Sequence, residues 1–280
     1  MTHSATDVRR LLTEHGLRPS RALGQNFVVD PNTVRRIVRL ADVGPGSHVV
    51  EIGAGLGSLT LALAETGANV TALEVDRHLL PVLREAVAGC PAVTVVAADA
   101  LRVDFAELLE ADLSWSLVAN LPYNVATPLV VRVLEEVPQV ERLHVMVQRE
   151  VGERLAAGPG DPAYGAPSVK VAYWARARVA GRVPPTVFVP RPSVESALVR
   201  MERRSEPAVD PGIVPYERLF SVVGAGFGQR RKMLRRSLAG VVAPEAFAAA
   251  GIPPQARAEE LGIEDWGRLA AQGRGTSWGR

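Results

Sequence analysis

Up to Ala157 the apolar positions fall into two alternating kinds of segment: short continuous runs, and stretches of helical period. Asp30-Pro31 reads as an N-cap followed by proline at the first helical position. Val34, Ile37 and Val38 then form an apolar face, with Arg35, Arg36 and Arg39 directed elsewhere, until Gly44-Pro45-Gly46 breaks the helix. The runs SHVVEIG, NVTALEVD, AVTVVAAD, SWSLVAN and RLHVMVQ predict five strands. Between and after them SLTLALAETG (ended by Gly67), HLLPVLREAVAG, DFAELLE, LVVRVLEEV (opened by Thr127-Pro128) and REVGERLAA predict helices. Such alternation predicts an α/β fold with a mostly parallel sheet covered on both faces.

After GPGDPAYG the pattern loosens. PSVKVAYWA fits a strand or a helix, while ARVAGRV and VESALVRM fit strands that finish the sheet as an antiparallel edge. RRSEPAVDPG is a polar linker, and beyond it YERLFSVVGAGF, RRKMLRRSLAG, PEAFAAAG and IEDWGRLAA read as helices. The expected organisation is a catalytic domain over 1–203 with a basic N-terminal extension over 1–29, a small helical domain over 204–270, and a disordered tail over 271–280.

Composition narrows the function. With 280 residues, 47% hydrophobic and 22% charged, the chain supports a sizeable core. The N-terminus lacks the apolar stretch of a signal peptide, and no apolar run is long enough to span a bilayer, so a cytoplasmic protein is expected. One cysteine, Cys90, excludes an intrachain disulfide and a Cys-based zinc site, and the five histidines do not form a metal-ligand spacing; no metal is expected. The net charge is only +2, but arginines cluster early (Arg9, Arg10, Arg18, Arg21, then Arg35, Arg36, Arg39) and late (Arg230, Arg231, Lys232, Arg235, Arg236).

Candidate chemistry sits at the strand ends. EIGAGLG follows the first strand and opens a helix, so Gly53 and Gly55 let a ligand approach the backbone. The dinucleotide pattern G-x-G-x-x-G is not met, because the third glycine is Gly57 and Ser58 stands where that pattern needs it. An acid before the first glycine, Glu51, together with G-x-G-x-G, resembles S-adenosylmethionine-dependent methyltransferases instead. Glu74 ends the second strand, where a carboxylate can accept from both ribose hydroxyls, and Asp99 ends the third, where it can accept from an adenine amino group. NLPY ends the fourth strand at the same crevice. An exocyclic amine is a poor nucleophile because its lone pair is delocalised into the ring. Two acceptors for its N–H groups, the Asn120 side-chain carbonyl and the Leu121 backbone carbonyl, turn that lone pair towards the electrophile. Pro122 stiffens the turn, and Tyr123 offers a ring for a base to stack on.

NLPY resembles the motif of methyltransferases that act on adenine N6, and nearly the whole chain resembles the ribosomal RNA adenine dimethyltransferase family, most closely its small-subunit members. The resemblance implies a Rossmann-like class I methyltransferase sheet and S-adenosylmethionine as cofactor. It also implies transfer of methyl groups to N6 of two adjacent adenosines in a loop near the 3′ end of 16S rRNA during ribosome biogenesis, by a monomer acting on the small subunit. LGQNFVVDPN implies that Asn26 and the backbone of Val28 touch the cofactor, alongside Gly53, Glu74, Asp99 and Asn120. PPTVFVPRPSVESALVRM implies that Phe188 stacks on the target base opposite Tyr123. GFGQRRKMLRRSL matches the family's helical signature, with Gly228 and Arg236 departing from its usual form, as Val28 departs from the usual leucine. There Leu234 and Leu238, four apart, face a core, which leaves Arg230, Arg231, Lys232, Arg235 and Arg236 for phosphate contact. Two rivals stand beside this reading: a macrolide-resistance-type enzyme acting on large-subunit rRNA, whose motif is usually Asn-Ile-Pro-Tyr, and a methylase-fold assembly factor acting mainly by binding.

Overall fold

A computed structural model describes residues 2–272. In chain order the elements are α1 (Ala5–Glu14), β1 (Phe27–Val28), α2 (Pro31–Ala41), β2 (His48–Ile52), α3 (Ser58–Ala64), β3 (Asn69–Glu74), α4 (Leu80–Ala86), β4 (Val93–Ala97), α5 (Phe105–Leu108), β5 (Trp115–Asn120), α6 (Ala126–Glu136), β6 (Val140–Gln148) and α7 (Arg149–Ala156). They continue with α8 (Ala166–Trp174), β7 (Ala175–Val183), β8 (Phe188–Val189), β9 (Ser196–Arg203), α9 (Tyr216–Gly228), α10 (Leu234–Ser237), α11 (Pro244–Ala249) and α12 (Ile263–Ala271). The chain forms two compact units. One comprises the chain to Glu153 together with Arg178–Arg203; the other comprises Arg154–Ala177 and the chain from Arg204 on.

The first unit holds a seven-stranded sheet in the order β4-β3-β2-β5-β6-β9-β7. The strands β4 through β6 pair in parallel, and β9 runs antiparallel to β6, so the expected antiparallel edge is present. From β2 the chain winds outward through β3 and β4, then returns to the other side of β2 to place β5 and β6. The switch point of this fold therefore lies between β2 and β5, and open α/β sheets bind ligands outside the carboxyl ends of the strands at that point. Val118 and Ala119 of β5 are fully buried, as a central strand with helices on both faces requires. Asp30 caps α2 as expected: its carboxylate accepts from the Asn32 and Thr33 N–H groups, and Pro31 follows in the first turn.

The segment 1–29 is not a mere extension. Ser4 and Asp7 form a capping box that starts α1, and Val8 and Leu12, four apart, bury one helix face against Phe27, Val29, Leu56, Leu79 and Val82. β1 then pairs antiparallel with β8, Phe27 opposite Val189 and Val28 opposite Phe188.

The second unit is helical; besides the chain from Arg204 it takes in Arg154–Ala177, which the sequence pattern placed with the first domain. PSVKVAYWA is helix α8, whose Val169 and Tyr173 lie in the same core as Leu219, Val222, Leu234, Leu238 and Trp266. Tyr164 donates its hydroxyl to the Leu261 carbonyl at 2.8 Å. The continuous basic helix expected over RRKMLRRSL is also corrected: only Leu234–Ser237 is helical. The Leu234 and Arg235 N–H groups donate to the Ala256 and Pro254 carbonyls, and Lys232 closes a turn on Gln229, so the helix starts late. Leu234 and Leu238 face the core as the spacing indicated. α12 runs to Ala271, and residues 273–280 of the expected tail lie outside the described residues. No helix among the described residues is long and apolar enough to cross a membrane.

Candidate active site

A cavity of about 230 Å³ opens at the switch point, lined by the loop after β2, the ends of β3, β4 and β5, and the segment entering β1. Gly53, Gly55, Glu74, Asp99, Asn26, Val28, Asn120, Leu121, Pro122 and Tyr123 all line it. The chain can turn here only because of its glycines. Gly55 has φ +61°, and a Cβ on it would meet the Phe27 ring at 3.2 Å. Gly53, at φ +76°, packs flat against Pro122, which would lie 3.5 Å from an added Cβ; the first glycine and the NLPY turn are built as one wall.

Two buried carboxylates organise this wall. Glu74 is 5% exposed and accepts from the Gly55 N–H at 2.8 Å through Oε2 and from the Asp76 N–H at 2.8 Å through Oε1. Burial raises its pKa, offset in part by these backbone donors. Glu51 is 2% exposed, and burial pushes its carboxyl up to about 8; the Thr60 hydroxyl beside it offsets this only in part, and the charge of Glu74 adds to it. No well-aligned hydrogen bond reaches Glu51 Oε2 or the Thr60 hydroxyl. Asp99 is more exposed; it caps its own turn by accepting from the Leu101 N–H at 2.9 Å and lies 3.6 Å from Arg102. An acid-lined cavity repels a pyrophosphate. It suits a ligand that brings positive charge and hydroxyl donors, and the donor set therefore fits S-adenosylmethionine.

The NLPY turn is tied to the N-terminal segment. Asn120 Nδ2 donates to the Asn26 carbonyl at 3.0 Å, and Asn120 Oδ1 is buried with no hydrogen-bond partner. Asn124 Nδ2 donates to the Ala22 carbonyl at 3.0 Å, Asn26 Nδ2 to the Gly24 carbonyl at 3.0 Å, and Gln25 Nε2 to Asp76 at 2.8 Å. Gln25, Asp76 and Asn124 stand outside the expected site residues; Gln25 and Asn124 are signalled by the amides near Asn26 and Asn120, and Asp76 by its place two residues after Glu74. The Tyr123 hydroxyl shares a 2.6 Å hydrogen bond with the Ser196 hydroxyl at the start of β9, which is 0% exposed. Ser196 carries no signal in the sequence, because its role arises only when β9 lies beside β6. This bond fixes the plane of the tyrosine ring at the cavity mouth.

Phe188 is 2% exposed, pairs with Val28 in the β1–β8 ribbon, and packs in the core with Ile37, Val183 and Leu198. Phe27 of the same ribbon lines the cavity, as does Val28. The basic cluster also divides. Arg230 is committed within its own unit, to Glu259 at 2.8 Å and to the Pro162 carbonyl at 2.8 Å. Arg231, Lys232, Arg235 and Arg236 are exposed. Arg231→Ala with Lys232→Ala is expected to weaken RNA binding and to flatten its salt dependence by about 0.7–0.9 of a log unit for each phosphate no longer neutralised. Arg230→Ala is expected to lower the thermal stability of the helical unit instead; filter binding and melting curves separate the two.

Tyr123→Ala removes a stacking surface worth about 1–3 kcal/mol per base, so RNA affinity is expected to fall while cofactor affinity holds. Ser196→Ala keeps the ring and loses its anchor, so a smaller loss is expected. Equal RNA affinity in wild type and Tyr123→Ala, measured by equilibrium binding, would remove the ring from base recognition.

The sequence model of a family described as "Ribosomal RNA adenine dimethylase" matches residues 17–272. A "Ribosomal RNA small subunit methyltransferase A" of Thermobifida fusca is 51% identical over 274 residues, covering 94% of this chain and 93% of that protein. The protein of that name from Streptomyces coelicolor is 46% identical over 279 residues, covering 94% of each. Among solved structures, the 23S rRNA methyltransferase ErmE superposes with a TM-score of 0.70 at 28% identity, covering 88% of this chain and 98% of that one. A dimethyladenosine transferase from Plasmodium falciparum superposes with a TM-score of 0.73 over 87% of this chain and 95% of its own; at 19% identity it speaks for the fold.

Proposed function

The chain belongs to the ribosomal RNA adenine dimethylase family, and from that premise we propose that it dimethylates N6 of two adjacent adenosines in a loop near the 3′ end of 16S rRNA during ribosome biogenesis. The activity at family level, S-adenosylmethionine-dependent dimethylation of adenine in rRNA, is that of the chain. The small subunit as target rests on identity: 51% and 46% to small-subunit enzymes, against 28% to the 23S rRNA methyltransferase. Action as a cytoplasmic monomer completes the reading.

The observation that carries the chemistry is the state of Asn120. Its amide nitrogen is held by the Asn26 carbonyl, so the side chain cannot flip, and its carbonyl oxygen is left as a buried acceptor without a donor. An adenine amino group supplies that donor. The Leu121 carbonyl takes the second N–H, which turns the nitrogen lone pair out of conjugation and along the line of transfer. The acceptors also stabilise positive charge developing on nitrogen. Tyr123, anchored by Ser196, stacks on the base, and Pro122 keeps the turn rigid. Glu51 and Glu74 place carboxyl oxygens where a ligand with positive charge and hydroxyl donors binds. S-adenosylmethionine, when bound, supplies the electrophilic methyl group, so the residues' task is largely positioning. The target base leaves its stack to reach this crevice.

Labelled S-adenosylmethionine, offered with purified small and large subunits that lack these modifications, tests the reading. Label is expected in two neighbouring adenosines of 16S rRNA, two methyl groups on each. Label confined to the large subunit, or binding to the small subunit with no label transferred, overturns it.

A further inference from the structure

The early arginine cluster on α2 plays no part in the site described above. Its surroundings give it one. β6 and β9 place Arg142 opposite Glu202 and His144 opposite Arg200, all on one sheet face because they are directly opposed or two residues apart. β7 lies beside β9 and brings Arg178 to the same neighbourhood. α2 flanks this face: Arg36 donates to the Arg182 carbonyl at 2.9 Å, its guanidinium lying over Gly181, and Arg39 follows one helical turn on.

Beneath the arginines lies His144, 5% exposed, with Nε2 buried and unpartnered. A small void beside it is walled by Ile37, Leu40, Ala180 and Leu198. Burial holds the imidazole neutral, with a pKa pushed down to about 4; Arg200, Arg142 and Arg178 push in the same direction, and Glu202 opposes them. Glu202 pairs with Arg200 at 2.6 Å. Even with Glu202 counted, the surface is strongly positive.

We propose that this face, formed by Arg36 and Arg39 of α2 with Arg142, Arg178 and Arg200 over His144, binds the sugar-phosphate backbone of the rRNA at a distance from the methylated base. The inference rests on the reading that the chain acts on rRNA. Guanidinium forks match phosphate oxygens, and arginines gathered this closely repel one another until a polyanion neutralises them. Asn120 pairs with Met146, four residues along β6 from Arg142, which places the patch about 13 Å down the strand from the crevice. A single folded RNA segment spans that distance. The patch holds the RNA backbone while the crevice selects the base, the usual division between positioning and specifying contacts.

The test uses the full chain with Arg142→Gln and Arg178→Gln together, an Arg→Lys pair at the same positions, and an unmodified 16S rRNA transcript in filter binding across a KCl series. The glutamine pair is expected to bind more weakly at low salt and to flatten the log–log salt slope by roughly 0.7–0.9 for each phosphate left without its cation, while the lysine pair keeps the slope. S-adenosylmethionine affinity, measured by calorimetry, stays at the wild-type value and reports an intact fold. Wild-type slope and affinity in the glutamine pair overturn the proposal and leave the methyltransferase reading standing. A glutamine pair that binds the transcript normally but the assembled small subunit poorly also overturns it, in favour of a protein partner. A wild-type chain that neither binds nor methylates the rRNA overturns both readings.

Discussion

Asn120→Ala is expected to transfer methyl groups about 10²–10³-fold more slowly than the wild type at saturating RNA and cofactor, a loss of about 2.7–4 kcal/mol in transition-state stabilisation. The side chain ends β5 at the cavity, so truncation removes little packing. What it removes is the Oδ1 acceptor and the bond from Nδ2 to the Asn26 carbonyl. Saturating RNA rescues a binding defect but not a missing acceptor, so single-turnover methylation separates this variant from Tyr123→Ala, and melting curves close to wild type show that the fold is kept. Methylation at the wild-type rate under those conditions would mean that another group orients the amine.

Glu51→Gln is expected to stabilise the cofactor-free protein by several kcal/mol at pH 8 while changing it little at pH 4.5. Burial raises the Glu51 carboxyl from 4.5 to about 8. Between those values the folded chain keeps a proton that the unfolded chain has released, so wild-type stability falls as pH rises through this window and levels off above it. At about 1.4 kcal/mol per pKa unit the ionised carboxylate costs on the order of 5 kcal/mol, and glutamine never ionises. Glu74 contributes with the same sign in both proteins. His144, held neutral down to about 4, contributes with the opposite sign on acidification below 6.5 and is likewise common to both. The difference between the two urea-unfolding curves across pH therefore reports Glu51 together with its coupling to Glu74, and parallel curves would place its carboxyl in a solvated or paired state. A substitution that stabilises the fold at a cavity wall marks a group kept for the ligand. Weaker S-adenosylmethionine binding in the same variant is the other half of the expectation.

The sequence by itself determined what depends on local period and on a residue's place along its own strand. Alternating apolar runs and helical stripes specified the α/β sheet, because a parallel strand buried on both faces has no polar alternation to hide it. Gly53, Gly55, Glu74, Asp99 and Asn120 were legible because each ends a strand or follows directly on one, and the strand ends of such a sheet open on one crevice. Asp30-Pro31 was legible because a cap acts within its own turn. The tertiary structure decided whatever depends on partners distant in the chain. Ser196 reaches Tyr123 across 73 residues, and Asn120 reaches Asn26 across 94. α8 joined the helical unit through Val169 and Tyr173, although its sequence fits strand and helix equally. The basic stretch before Leu234 lost its first helical turn because the N–H groups of Leu234 and Arg235 found carbonyls at Ala256 and Pro254. Phe188 packs beside Ile37, Val183 and Leu198 because its strand pairs with β1, a partner distant in the chain. Local propensity acts within a few residues, whereas register, burial and hydrogen-bond partnership are set by neighbours that only the folded chain brings together.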